Sequence, residues 1–208
     1  MSTDYVEQSV ELVERVDGFE LAPHAMRLLA EGKPVSLERL AAVSGRAVDD
    51  VEAAVRETGG LEWDEQGRLV GLALTLRPTP HRFTFAGRTL FAWCADDALM
   101  FPVVLGRAGA IASSCPATGR TIHVDLSPER VERIEPASAV ITSVRPGGGI
   151  GNIRTAVCDH GHFFASAADA STWAEKHPDG HVRPVEEAFR LDKRIIERLG
   201  WAASRATA

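Results

Sequence analysis

The sequence is short of cysteine, of long apolar runs and of basic charge, and each shortage excludes a class of protein. Its three cysteines among 208 residues are odd in number and far apart, which favours reduced thiols over a disulfide framework. The longest apolar run, ALMFPVVL, is too short to cross a bilayer. The first residues carry acidic side chains throughout and lack the apolar core of a secretory signal. We therefore expect a cytoplasmic protein with no membrane partner.

Acidic residues outnumber basic ones, and the formal net charge is −6. Nucleic acids and anionic membrane surfaces attract proteins through basic patches. The charge balance therefore predicts no nucleic-acid partner and favours a small molecule or another protein. With 45% hydrophobic and 25% charged residues, the chain can form one large domain or two small ones.

The N-terminal part, residues 1–76, has the pattern of a winged helix: three helices followed by a hairpin. Ser36 is placed to cap the second helix, Gly45 ends it, and residues 64–67 form a turn between two strands. In such domains the third helix usually enters the major groove of DNA. Here that helix is acidic, with two basic residues against four acidic ones: Arg46 and Arg56 against Asp49, Asp50, Glu52 and Glu57. We predict a winged-helix-like scaffold that does not bind DNA.

The segment RPTP, residues 77–80, is the predicted linker to a second domain over residues 81–208, because two prolines in four residues oppose both helix and central strand. Residues 121–126 alternate like a strand, and we expect a short helix capped by Ser127 to follow. Two further helices are expected over residues 167–177 and 184–199. The fold class is therefore α+β: a winged-helix-like domain plus a mostly antiparallel sheet flanked by helices.

Cys94 and Asp97 are the first candidates for chemistry, because they stand three residues apart at the start of a predicted helix. That spacing places both side chains on one face. A helix N-terminus favours a thiolate, and a nearby carboxylate can accept and return the thiol proton. The alternative is purely structural: Cys94 as a small buried apolar residue and Asp97 as an acid that suits the helix dipole.

The segment VCDHGHFF is the second candidate. In an extended chain Cys158, His160 and His162 would share one side, as in a zinc or copper site, although no fourth ligand of matching spacing is visible. The histidines alternatively serve as ordinary polar groups near the surface. Cys115, which precedes a proline, is expected to be structural. The glycine-rich residues 145–152 lack the ending of a phosphate loop and predict a mobile connection or lid.

Taken together, FAWCADDALMFPVVLGRAGAIASSCPATG, CDHGHFFAS and WAEKH resemble the organomercurial lyases, also called alkylmercury lyases (the MerB family). The resemblance spans most of the chain. It implies that Cys94 and Cys158 are the catalytic cysteines, that Asp97 is the catalytic aspartate, and that Cys115 has no part in the chemistry. Asp96 stands where the family usually has an apolar residue. It either points to solvent or raises the pKa of Asp97 by like-charge repulsion.

The resemblance also implies a reaction: protonolysis of R–Hg⁺ to the hydrocarbon RH and Hg(II). Mercury is soft, so the thiolates of Cys94 and Cys158 are its natural ligands. Asp97 completes the expected mercury site and shuttles the proton. We expect an apolar pocket of Trp93, Met100 and Phe101 to raise the pKa of Asp97 and to receive the organic group.

No organic cofactor is expected for this reaction. The expected partners are the organomercurial substrate, low-molecular-weight thiols, and a mercuric reductase that receives Hg(II). The rival hypothesis is a thiol-based heavy-metal sensor whose winged helix binds DNA.

Overall fold

The computed structural model describes residues 2–16, 18–144 and 151–203. Within these ranges, the N-terminal part consists of four helices and three short strands. A single 3-10 turn, Phe19–Leu21, separates the first two helices. In chain order the elements are α1 Ser2–Glu14, α2 Ala22–Leu29, α3 Leu37–Ser44, α4 Val48–Glu57, β1 Glu62–Trp63, β2 Leu69–Leu72 and β3 Leu74–Thr75.

The predicted helix signals of this part are confirmed for α3. The Ser36 hydroxyl accepts a hydrogen bond from the Arg39 backbone N–H, and Gly45 ends the helix with a φ of 69°. This left-handed conformation favours glycine. The buried side chains of α2, α3 and α4 belong to the main hydrophobic core.

The remaining residues alternate short strands with helices, as the predicted α+β class requires. The elements are β4 His81–Phe85, β5 Arg88–Ala92, α5 Ala95–Leu105, β6 Gly109–Ser114, β7 Thr121–Leu126, β8 Val131–Glu135, β9 Val140–Ser143, α6 Ile153–Ala156, β10 Phe163–Phe164, α7 Ser171–Lys176, β11 His181–Pro184 and α8 Val185–Arg198.

The strands form two antiparallel sheets. The larger has eight strands in the order β1-β2-β3-β5-β4-β6-β7-β8, and the smaller has the order β10-β9-β11. Because β3 pairs with β5 through Leu74 and Ala92, the strands of the N-terminal part continue directly into those of the second part. Residues 76–80 between β3 and β4 have no regular structure. Helix α5 begins just after β5 and contacts α2, α8 and the sheet.

Two sequence predictions about local structure are wrong. Ser127 caps no helix; instead its N–H and the Arg130 carbonyl close the turn between β7 and β8, and its hydroxyl accepts from the Arg130 N–H. A serine side chain can cap a turn as well as a helix. The strands β7 and β8 on either side of Ser127 favour the turn. The helix expected over residues 167–177 begins only at Ser171.

Within the described ranges, no helix is long and apolar enough to span a membrane.

Candidate active site

Cys94 lies where the chain leaves β5 and enters α5. It is the N-cap of α5, and its Sγ accepts the Asp97 backbone N–H at 3.4 Å. The side chain is buried at 2% exposure. Gly161 lies close by, with its carbonyl accepting the Ala95 N–H at 3.1 Å. A Cβ at Gly161 would lie 2.9 Å from the Cys94 Cβ, so glycine is needed for this approach.

Cys158 reaches the same place from another segment. Asn152 caps α6 by accepting the backbone N–H groups of Arg154 and Thr155, and the chain then makes a 3-10 turn over Cys158–His160. This turn packs near the start of α5. Of the predicted glycine-rich loop, residues 145–150 lie outside the described residues.

The 3-10 turn overturns the extended conformation on which the zinc or copper hypothesis depended. Cys158, His160 and His162 do not alternate along a strand. The His160 Nδ1 lies 3.2 Å from the Nε2 of His177, and the His162 ring stacks on His81. In the described part of the chain, the group of potential metal ligands contains none of these histidines.

That group consists of Cys94, Asp97 and Cys158. One sulfur or carboxylate oxygen from each residue lies within 4.8 Å of those of the other two, and all three side chains are buried. Both cysteines are free thiols. Two sulfur atoms and one oxygen around a single point suit a soft metal ion far better than a hard one.

Burial dominates the protonation of this cluster. Desolvation raises the pKa of Asp97 to about 6, against the lowering effect of hydrogen bonds with the Cys94 and Cys158 thiols. For Cys94, desolvation is again the largest cause and raises the thiol pKa well above its ordinary value. Burial thus outweighs the helix N-terminus, which was expected to favour the thiolate.

The pKa of Cys158 is set by opposing effects. Its hydrogen bond with Cys94 lowers the pKa, but desolvation and the negative charge of Asp97 raise it to about 11. Both thiols therefore carry their protons at neutral pH, while Asp97 is largely ionised. The cluster holds two thiol protons beside a base that can accept one.

Asp96 is partly exposed and lines the same cavity as Asp97. Desolvation and then the charge of Asp97 raise the pKa of Asp96 to about 7, while Arg183 lowers it. Like-charge repulsion between the two carboxyl groups therefore raises the pKa of Asp96, whereas the expectation placed this effect on the pKa of Asp97. For Asp97 itself, burial is the largest cause.

The cavity beside the cluster is mainly apolar, with a volume of about 120 Å³. Trp93 and Met100 line it as expected, and side chains of α1, α6 and α8 complete it. Phe101 does not line it. Phe101 packs edge-on against Phe83 with ring centroids 5.2 Å apart, because its face of α5 is directed at the sheet.

Asp192 on α8 is a site residue that the sequence reasoning missed. It lines the cavity at 3% exposure, and its Oδ2 has no hydrogen-bond partner among the residues that the structure describes. Desolvation, followed by the charges of Asp96 and Asp97, raises its pKa well above the ordinary value. The sequence does carry an indication of this buried acid, because Asp192 stands between Leu191 and Ile195 on the apolar face of an amphipathic helix.

We expect Asp192→Asn to raise the melting temperature at neutral pH. The folded state binds the Asp192 proton more tightly than the unfolded chain does, so native stability falls as pH rises from the unfolded pKa toward the folded one. Asparagine cannot ionise, so the variant avoids this loss of stability. At about 2–4 °C per kcal/mol for a chain of this size, the measured gain in melting temperature gives the free energy that the buried carboxylate costs.

Thermal unfolding followed by circular dichroism across a pH series checks this expectation. The gain should shrink as the pH falls toward about 4, the unfolded pKa of aspartate, and vanish below that pH, where both states are protonated. Asp179→Asn, at an exposed position, is the matched control and should show no gain. A gain for Asp192→Asn that is independent of pH would contradict the assignment.

Two buried thiols and an ionisable carboxyl group, open to an apolar cavity, define a thiol site for a soft metal that carries an organic group. Comparison with known proteins agrees with this class. Residues 74–197 match the family model described as alkylmercury lyase, and residues 18–73 match the helix-turn-helix domain of alkylmercury lyase. The chain therefore belongs to the alkylmercury lyase family, and it is an enzyme that cleaves carbon–mercury bonds.

Individual relatives support the same conclusion. The alkylmercury lyase of Staphylococcus epidermidis is 44% identical over 173 residues, which cover 83% of this chain and 80% of the relative. That of Pseudomonas putida is 42% identical over 183 residues, covering 88% and 86%. The mercury-bound form of MerB2 superimposes with a TM-score of 0.70 at 25% identity, covering 92% of this chain and 91% of that one.

Proposed function

We propose that Cys94 and Cys158 bind the mercury of R–Hg⁺ together and that Asp97 carries the proton that releases the hydrocarbon. The observation that carries this proposal is the cluster itself, in which one ligand atom from each residue lies within 4.8 Å of the others. Mercury prefers thiolate ligands, so the two sulfurs hold the metal and the carboxylate remains free for proton transfer.

The protons of the reaction balance across the three residues. Asp97, with a pKa of about 6, accepts the proton of the first thiol as the first S–Hg bond forms. The second thiol loses its proton to solvent as the second S–Hg bond forms, which weakens the Hg–C bond, and Asp97 gives its proton to the carbon atom as that bond breaks. Two thiols and R–Hg⁺ thus yield RH, a bis-thiolate Hg(II) and one proton that leaves to solvent.

The apolar cavity is the proposed site for the organic group. Its volume of about 120 Å³ is comparable to the engineered cavity of ~150 Å³ that binds benzene in another protein. We therefore assign phenyl groups and short alkyl groups as the substrate class. Trp93 and Met100 supply contacts for such a group and exclude water from the carbon that receives the proton.

Product release requires other thiols, because Hg(II) held by two protein thiolates leaves only by ligand exchange. We propose that low-molecular-weight thiols, or the thiols of a mercuric reductase, take the metal and regenerate the reduced enzyme. The cycle needs no organic cofactor. It also needs free cysteines, which favours a reducing compartment such as the cytoplasm.

We propose that the N-terminal helices act as a scaffold and bind no nucleic acid. Helix α4, the recognition helix of a winged helix, exposes Asp49 and Asp50 in its first turn, and these would repel phosphate groups. A mercury sensor would need this helix to bind DNA. A gel-shift assay with promoter DNA separates the two functions, and a mercury-dependent shift would favour the sensor.

The lyase function is tested by incubating the protein with phenylmercury and excess thiol and assaying benzene by gas chromatography. We expect benzene to accumulate over many turnovers, because the added thiol removes Hg(II) after each one. Thiol without protein is the control for uncatalysed cleavage. Binding of phenylmercury without release of benzene would contradict the proposed function.

A further inference from the structure

Glu62 is a buried carboxylate that belongs to the N-terminal part of the chain, in β1. It is 6% exposed. Thr75 donates to its Oε2 at 2.5 Å, the Trp93 indole N–H donates to its Oε1 at 3.1 Å, and Arg154 Nη1 forms an ion pair with the same oxygen. Both carboxylate oxygens of Glu62 therefore have partners, which offsets the cost of burying an acidic side chain inside a protein.

The neighbouring strand leaves room for this carboxylate. Gly71 of β2 stands opposite Glu62 in the sheet register. A Cβ at Gly71 would lie 2.4 Å from the Glu62 Oε2, so any other residue would displace the carboxylate. A second glycine, Gly60, makes room for Asn152, because a Cβ there would lie 2.5 Å from the Asn152 Oδ1. The hairpin of the N-terminal part is thus shaped to receive the segment that begins at Asn152.

The two long-range partners of Glu62 flank the two catalytic cysteines. Trp93 directly precedes Cys94, and its own backbone N–H donates to the carbonyl of Ala73 at 2.9 Å. Arg154 stands in α6, one helical turn before Cys158, and its guanidinium lies 5.3 Å from the centre of the Trp93 ring. One carboxylate therefore contacts the residue next to Cys94 and a residue four positions before Cys158.

We propose that Glu62 is a positioning residue of the lyase reaction. Its carboxylate fixes Trp93 and Arg154 relative to each other and so keeps the Cys94 and Cys158 sulfurs at the separation that one mercury atom requires. This inference rests on the proposed function, and it gives the N-terminal part a role in catalysis beyond covering the core. Glu62 touches neither the metal nor the organic group, so it acts only through its two partners.

The effect falls on one step of the reaction. Either thiol alone can capture R–Hg⁺, but both must reach the same metal before the Hg–C bond weakens. A loss of positioning therefore lowers kcat and leaves KM nearly unchanged. Since a misplacement of about 1 Å can cost about 100-fold in rate, we expect Glu62→Gln to lower kcat by about 10- to 100-fold. Gln keeps the shape and the acceptor for Trp93 but removes the buried charge that pairs with Arg154, which then keeps only the exposed Asp159 carboxylate at 3.8 Å.

The experiment compares Glu62→Gln with Glu65→Gln, an exposed position on the same hairpin that should keep wild-type kcat. Benzene release at saturating phenylmercury gives kcat and KM. The double variant Glu62→Gln/Arg154→Gln leaves no unpaired buried charge, so it tests the same prediction if the single variant fails to fold. A folded Glu62 variant with wild-type kcat would overturn the proposal.

A second readout reports sulfur separation without any cleavage. Phenylarsine oxide bridges two nearby thiols, forming two As–S bonds and releasing water, whereas iodoacetamide alkylates one thiol at a time. We expect Glu62→Gln to slow bridging at least about tenfold, the lower end of the loss in kcat, while single alkylation is unaffected. Unchanged bridging would overturn the proposal. If wild-type protein released no benzene, the proposed function would fail, and the bridging rates would still decide the role of Glu62.

Discussion

Cys94→Ser and Cys158→Ser should each lose carbon–mercury cleavage down to the rate of thiol alone, whereas Cys115→Ser should keep most of its activity. A serine hydroxyl is a hard, neutral ligand and cannot replace a thiolate on mercury. Each variant therefore leaves a single sulfur on the metal, which captures phenylmercury without weakening the Hg–C bond. The expected loss is the largest that any single substitution in this chain should produce.

Cys115→Ser is the matched control, since it makes the same exchange at the third buried cysteine. Cys115 lies at the end of β6, where its backbone closes a turn with Gly119 and Arg120, outside the Cys94, Asp97 and Cys158 cluster. Benzene release and a thermal melt of all three variants give the comparison. Full activity in Cys158→Ser would rule out the two-thiolate mechanism.

Asp97→Asn should separate mercury binding from cleavage. Asparagine keeps the size of aspartate but cannot carry a proton from a thiol to carbon, so phenylmercury should bind while the Hg–C bond persists. The loss of one general acid typically lowers the rate by about 10² to 10⁴. Raising the pH deprotonates the thiols without help from Asp97. A higher pH should therefore restore phenylmercury binding more than it restores benzene release.

Mass spectrometry of Asp97→Asn after treatment with phenylmercury is the measurement for this second prediction. An intact phenylmercury adduct is expected, where the wild type carries Hg(II) alone. The partly exposed Asp96→Asn serves as the comparison and should retain cleavage. Normal benzene release by Asp97→Asn would remove Asp97 from the mechanism and leave a thiol or Asp96 as the proton donor.

The parts of the fold that the sequence predicted are those set by local chemistry. Ser36 and Gly45 bound α3 because a side-chain cap and a left-handed glycine act within a few residues. Cys94 and Asp97 meet for the same reason, since a spacing of three residues at a helix start fixes their geometry. Alternating side chains likewise predicted β7.

The parts that the sequence could not predict depend on contacts between distant segments. Nothing near Glu62 in the chain indicates that it will pair with Arg154 and Trp93, because both contacts join segments that are distant in sequence. The alternation of Cys158, His160 and His162 suggested a strand, but the chain makes a 3-10 turn over Cys158–His160 that ends at Gly161. The closeness of Cys158 to Cys94 came from the family resemblance and not from spacing.

Mercury L-edge X-ray absorption spectroscopy tests the central claim most directly, because it counts the sulfur atoms bound to the metal. Wild-type protein is treated with one equivalent of phenylmercury without small thiols, and Cys158→Ser is treated in the same way. The mechanism predicts two sulfur neighbours for each mercury in the wild type after benzene has left, and one sulfur with one carbon in Cys158→Ser. A single sulfur neighbour in the wild type would contradict it.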